Sequence, residues 1–270
     1  MGIAAGAAWA RADAAAAEAI TARFAAAHRP ILVGLAGAQG SGKSTMAPRL
    51  VARLAAMGLR GAVLALDDFY LTRAERIALA GEVHPLLATR GVPGTHDLAL
   101  LQATLDTLLA GERGEVPVPR FDKAADDREP SSGWDRIAGP ADVVLLEGWC
   151  VGARPQSEDD LAAPANALER DEDADGRWRR WVNAQLAGGY AALFERLALR
   201  IVLRAPDFGV VERWRAEQEA TLHAVTGRRG LCDREIRRFI GHYERITRAM
   251  IADPPADLVI ELDAARTPLT

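Results

Sequence analysis

The segment that most constrains this chain is Gly37-Ala38-Gln39-Gly40-Ser41-Gly42-Lys43-Ser44-Thr45. Its spacing is G-x-x-x-x-G-K-[ST], in which glycines let consecutive backbone N–H groups turn inward around phosphate oxygens. Ile31 to Ala36, just before it, is a short apolar run of the kind a buried parallel strand shows. Ser44 to Met57, just after it, places Met46, Leu50, Val51, Leu54 and Met57 on one helical face. Strand, glycine-rich turn and helix form the context this motif needs, and the helix N-terminus adds partial positive charge toward an anion. Lysine usage sharpens the signal. Of 33 basic residues only two are lysines, Lys43 and Lys123. In a chain that otherwise uses arginine, a lysine at the motif position marks a need for a compact, flexible point charge rather than a planar fork. Residues Gly37 through Thr45 are thus expected to hold phosphates, with Lys43 on the β- and γ-groups and Ser44 as a Mg²⁺ ligand. Lys123 becomes a candidate by its rarity.

Composition bounds the rest. At 270 residues, 49% hydrophobic and 26% charged, the chain is an ordinary globular one with enough length for a sizeable core. We read it as a single domain. A net charge of −4 disfavours a general nucleic-acid binder. Cys150 and Cys232 fit neither a disulfide framework nor a CxxC metal site, so reduced thiols and a cytoplasmic location are expected. No apolar run approaches the roughly 18 residues of a membrane span. The Ala-rich start is interrupted by Asp13 and Glu18 and reads as an amphipathic helix rather than a signal peptide. Oligomeric state stays open.

Along the chain the periodicity predicts helices at 8–28, 44–57, near 72–80, 97–110, 177–197, 207–224 and 233–251. Strands are expected at 31–36, 62–66, 143–146, 199–203 and 257–262. Residues 81–96 and 114–133 read as loops, 152–176 as an irregular acidic excursion, and 225–232 as a break. Residues 31–147 would form the phosphate-loop and acceptor half. Strands alternating with helices imply an α/β fold with a doubly wound, mostly parallel sheet in three layers, and ligands at the carboxyl ends of its strands.

Two further strands run into acids, Leu66-Asp67-Asp68-Phe69-Tyr70 and Leu146-Glu147-Gly148-Trp149, so both should land beside the phosphate loop. Phosphoryl transfer needs a metal, an aligned acceptor hydroxyl and charge stabilisation. Glu147 suits Mg²⁺, and Asp67 or Asp68 suits the acceptor proton; as neighbours, the two should point apart. Arg90 to Asp97 and Pro119 to Arg128 mix charge with turn formers, as binding loops do. From these loops Arg90, His96, Asp97, Lys123 and Arg128 are acceptor-site candidates. Asp97 is equally suited to cap a helix, and His96 to face solvent. Arg228 and Arg229, between glycines, read either as a lid over phosphates or as a plain turn. The Trp-rich stretch 177–197 reads as core. A guanine-reading switch is disfavoured because no Asn-Lys-x-Asp occurs.

Together these segments resemble the P-loop kinases that include uridine kinase, phosphoribulokinase and bacterial pantothenate kinase, above all D-glycerate 3-kinase of the plant and fungal type. The resemblance also draws on Trp214-Arg215 with Gln218 and on Asp233 to Tyr243. It implies ATP- and Mg²⁺-dependent transfer to a hydroxyl of a small metabolite, with D-glycerate the leading acceptor. Asp67 falls where uridine kinases carry their base in Asp-Ser-Phe-Tyr, although position 68 is Asp here. Arg128 matches the arginine that closes the substrate loop, a catalytic position. Gly230-Leu231-Cys232-Asp233 departs from the family's Gly-Met-Ser-Asp.

Overall fold

The computed structural model describes residues 3–110, 113–226 and 232–269. Five strands form one parallel sheet: β1 (Ile31–Gly37), β2 (Gly61–Ala65), β7 (Val143–Gly148), β8 (Leu197–Arg204) and β9 (Leu258–Glu261). Their order is β2-β7-β1-β8-β9, so the chain changes direction around β1 and opens a crevice at its carboxyl end. The strands are apolar on both sides because both faces are covered. Ile31, Val33, Leu35, Val143 and Leu145 face one helical layer, while Leu32, Ala36, Val144 and Leu146 face the other.

The first layer holds α1 (Ile3–Ala27), α2 (Lys43–Ala56), and the long helices α9 (Phe208–Thr226) and α10 (Asp233–Ala252). The alanine-rich start is therefore a packed helix, with Ala16, Ala17 and Ile20 fully buried. Arg49 of α2 ties it down through the buried Asp13 at 2.6 Å. The second layer holds α4 (Leu98–Leu109), α7 (Arg177–Gln185) and α8 (Ala191–Glu195). Helix α3 (Arg73–Glu82) starts with a capping box between Thr72 and Glu75.

Three expectations are corrected. Residues 114–133 are not all loop. Here β3 (Gly114–Val118) pairs antiparallel with β6 (Asp135–Gly139), and β4 (Phe121–Asp122) with β5 (Asp127–Arg128). Pro117 and the flanking glycine hid β3, and a two-stranded ribbon tolerates proline because it has an open edge. The stretch 177–197 is not one helix. A π turn at Leu186–Tyr190 separates α7 from α8, and Gly188 leaves helical dihedrals (φ −99°, ψ −111°). The acidic excursion contains α5 (Glu158–Ala162) and α6 (Ala167–Glu172), pinned by arginines: Glu169 to Arg245 at 2.6 Å, Glu172 to Arg238 at 2.7 Å and the buried Asp173 to Arg179 at 2.9 Å. Arg228 and Arg229 lie outside the described residues. Among the described residues no helix is long and apolar enough to cross a membrane.

Candidate active site

Sheet register assembles the site. Glu147 of β7 lies level with Leu35 of β1 on one side and Ala65 of β2 on the other. Two residues beyond Leu35 the phosphate loop begins at Gly37, and two beyond Ala65 stands Asp67. The three strand ends thus deliver loop, metal-type carboxylate and base candidate to one crevice.

The loop needs its glycines. Gly40 (φ 79°) and Gly42 (φ 100°) take left-handed dihedrals, and a Cβ on Gly40 would stand 2.7 Å from Cβ of Trp214. Ser41 N–H donates to Ala38 O at 3.1 Å and Met46 N–H to Gly42 O at 2.9 Å, closing the turn into α2. Lys43 Nζ donates to Ala38 O at 3.3 Å from a nearly buried position. Burial pushes its pKa down, with Glu147 and Asp67 pulling the other way. Among the described residues, the buried Ser41 hydroxyl and Gln39 side-chain amide have no hydrogen-bond partner. Buried polar atoms without partners in a nest of backbone N–H groups fit a polyphosphate.

Ser44 Oγ donates to Glu147 Oε1 at 2.7 Å. Two hard oxygens side by side at the mouth of a phosphate loop fit Mg²⁺, which takes few protein ligands and completes its shell with phosphate oxygens and water. Among the described residues, no group of three or more His, Cys, Asp or Glu is placed to hold a metal ion.

Asp67 and Asp68 open a 3₁₀ turn, Leu66–Phe69, and part as adjacent carboxylates must. Asp67 accepts from Tyr70 O–H at 2.9 Å and from Lys123 Nζ at 2.7 Å. Burial pushes Asp67 upward, but the Lys123 charge and these two bonds outweigh it and hold it below the usual carboxylate range. Asp68 turns away to Arg120 at 2.6 Å and Phe121 N–H at 3.2 Å; burial raises its pKa against the Arg120 charge. The two acids therefore differ in role. Asp67 faces the charges of Lys43 and Lys123, while Asp68 anchors the strand that leads to Lys123.

The acceptor-loop candidates separate in the same way. Arg90 pairs with Asp126 and lies over the Phe121 ring at 5.3 Å. Its carbonyl accepts from Tyr243 O–H at 3.0 Å, and Trp149 Nε1–H donates to Gly91 O at 3.0 Å. Asp97 does cap α4, accepting from Leu100 N–H at 3.0 Å, and its other oxygen takes Arg128 at 3.0 Å. Arg128 is thus tied to the cap rather than open to solvent. His96 does not face solvent either. It is 5% exposed, stacks on Tyr70 with ring centroids 4.6 Å apart, and meets Tyr190 Oη at 2.6 Å through Nδ1. Lys123, with 63% of its side chain exposed, is the open cation of the set.

Reading the sequence missed the supports. Arg76 is wholly buried and donates to the carbonyls of Leu71, Ala88 and Asp126 at 3.3, 2.9 and 2.6 Å, stapling three loops beneath the site. Arg266, from the chain end, donates to Gly40 O at 2.9 Å and covers Trp214. A buried arginine on a polar helix face gives no periodic signal, and neither contact is local in sequence.

Burial pushes both His96 and His242 down to about 4. Between that value and about 6.5 the unfolded chain binds these protons and the folded one does not, so stability falls as pH drops through that window. The expected loss is roughly 3 kcal/mol per histidine. Urea unfolding at pH 7 and pH 4.5 checks it, and a stability that does not change across the window contradicts the buried, neutral imidazoles.

The chain is similar to known proteins along most of its length. The family described as methylmalonyl Co-A mutase-associated GTPase MeaB matches residues 5–70, from α1 through the phosphate loop to Tyr70, about a quarter of the chain. The kinase mug58 of Schizosaccharomyces pombe, itself described as uncharacterized, is 36% identical over 231 residues, covering 80% of this chain and 79% of that protein. The chloroplastic D-glycerate 3-kinase of Arabidopsis thaliana is 32% identical over 259 residues, covering 89% of this chain. This chain spans about half of that plant protein, 54% of its length. The solved D-glycerate 3-kinase of Cryptococcus neoformans is 26% identical with a TM-score of 0.79, covering 96% of this chain and 97% of that one. The chain belongs to the family of P-loop kinases that includes the kinase mug58 and D-glycerate 3-kinase.

Proposed function

We propose that this kinase transfers the γ-phosphoryl group of ATP to a hydroxyl of a small hydroxy acid, with D-glycerate as the acceptor. The observation that carries the proposal is the placement of Lys123. It bonds the base candidate Asp67 at 2.7 Å, and 63% of its side chain is exposed. A hydroxy acid suits such a pair. Its carboxylate takes the remaining N–H groups of Lys123, while its hydroxyl donates to Asp67.

In this reading the loop amides and Lys43 hold the β- and γ-phosphates. Ser44 and Glu147 hold Mg²⁺, which when bound neutralises charge on the transferring group. Tyr70 O–H fixes one oxygen of Asp67, leaving the other for the acceptor hydroxyl once Lys123 shifts toward the substrate. A carboxylate with so low a pKa is a weak base. The transition state of phosphoryl transfer is loose, however, and aligning the hydroxyl matters more than removing its proton early. Arg90, Arg128 and Asp97 brace the two loops that carry His96 and Lys123 against each other.

The test is an acceptor screen in ATP and Mg²⁺, following ADP with D-glycerate, uridine, pantothenate and simple sugars. D-glycerate should give the highest kcat/KM; a nucleoside or pantothenate ahead of it overturns the acceptor assignment. Lys123→Ala should raise the acceptor KM by roughly 10- to 100-fold and leave that of ATP nearly unchanged. Lys123→Arg should also weaken the acceptor, and equal affinity would reduce the rarity of Lys123 to chance. The family match at residues 5–70 favours a second reading, a nucleotide-hydrolysing regulator. ADP release at the same rate with and without any acceptor would support that instead.

A further inference from the structure

Tyr190 closes the π turn between α7 and α8, buried to 1% exposure. By helical spacing it is one more core aromatic, but its hydroxyl has polar work. Gly94 N–H donates to Tyr190 Oη at 3.0 Å. An amide can only donate, so Oη accepts there, and among the described residues the partner placed to take its own hydrogen is His96 Nδ1, 2.6 Å away. Nδ1 then accepts, and the imidazole carries its proton on Nε2. That Nε2 is buried and, among the described residues, has no partner. It belongs to the ring stacked on Tyr70, whose hydroxyl holds Asp67, and His96 and Asp67 influence each other electrostatically. A buried donor without a partner is costly unless something supplies the bond.

We propose that Tyr190 is a positioning residue for the acceptor: it fixes His96 as the neutral Nε2–H tautomer, so that Nε2 offers a hydrogen bond to an acceptor oxygen beside Asp67. The proposal rests on reading this crevice as the acceptor site. The π turn is what makes it possible. Each added helical residue rotates the following side chains by about 100°, so a helix lacking this insertion would carry the Tyr190 ring away from the loop at Gly94. Burial already holds the imidazole neutral at physiological pH, which leaves the tautomer as the variable for Tyr190 to set.

The test is nitrogen NMR of the whole protein with ring-labelled histidine and no acceptor present. The His96 signals are assigned by their loss in His96→Gln. Wild type should show a pyridine-type Nδ1 and a pyrrole-type Nε2, and Tyr190→Phe should lose that preference. In kinetics Tyr190→Phe should raise the acceptor KM roughly tenfold while the ATP KM stays put. A wild-type Nδ1–H tautomer overturns the proposal, whether or not Tyr190→Phe folds. A Tyr190→Phe protein that keeps the Nε2–H tautomer, or keeps the KM of the best acceptor, overturns it as well. The spectra involve no acceptor, so a wrong acceptor assignment shows in the screen above and leaves the tautomer result standing.

Discussion

Lys43→Arg should abolish phosphoryl transfer although it keeps the charge. The ammonium sits nearly buried inside the loop, with Nζ 3.3 Å from Ala38 O. A guanidinium is wider, planar and fixed in its directions, and the loop has little slack at Gly40, where a Cβ would stand 2.7 Å from Cβ of Trp214. The substituted side chain must either spread the loop or leave it, and both remove the donor that follows charge onto the β- and γ-oxygens. Loss of one such preorganised donor costs on the order of 10²- to 10³-fold in kcat, and displacement of the loop adds to it. Single-turnover transfer to the acceptor measures this directly. A rate within a few-fold of wild type would mean that the loop does not depend on a point charge at this position.

Asp67→Asn should lower kcat by about 10²- to 10⁴-fold, while Asp68→Asn should act mainly on the acceptor KM. The difference follows from partners. Asp67 bonds Tyr70 and Lys123 and lies near Lys43; Asp68 is spent on Arg120 and the Phe121 amide, where it holds the start of the acceptor loop. Amide for carboxylate at 67 would remove the proposed acceptor of the substrate hydroxyl proton and leave Lys123 without the counter-charge it bonds. At 68 the same change loosens a support. Steady-state kinetics of both variants, with melting curves to confirm that each is folded, separate the two. Equal losses of kcat at both positions would contradict the assignment, and near-wild-type turnover of Asp67→Asn would exclude it from the chemistry.

What the sequence made legible is what local pattern encodes. The phosphate loop is a contiguous run whose glycines and lysine carry their own reasons, and β1, β2, β7, β8 and β9 are short apolar runs that read as buried parallel strands. Their register then brings Glu147 and Asp67 to the loop without further information. The ribbon of β3 and β6 was not legible because Pro117 is a strand breaker everywhere except at such an open edge. The π turn was not legible because Leu186, Tyr190, Leu193 and Phe194 are buried in either geometry and give the same helical spacing. Pairing was the deepest loss. Arg90, Arg128 and Asp97 look alike as charges in loops, and only the structure shows Asp126 and Asp97 occupying the two arginines while Lys123 stays exposed. The rarity of lysine pointed to that same residue through composition, where motif spacing had nothing to say.

The fate of the γ-phosphoryl group separates a kinase from a nucleotide hydrolase most directly. Incubating the protein with ATP labelled at that group, Mg²⁺ and D-glycerate should place the label in phosphoglycerate, with ADP formed in equal amount and only in the presence of the acceptor. Label released as inorganic phosphate at the same rate with and without D-glycerate would contradict the kinase reading.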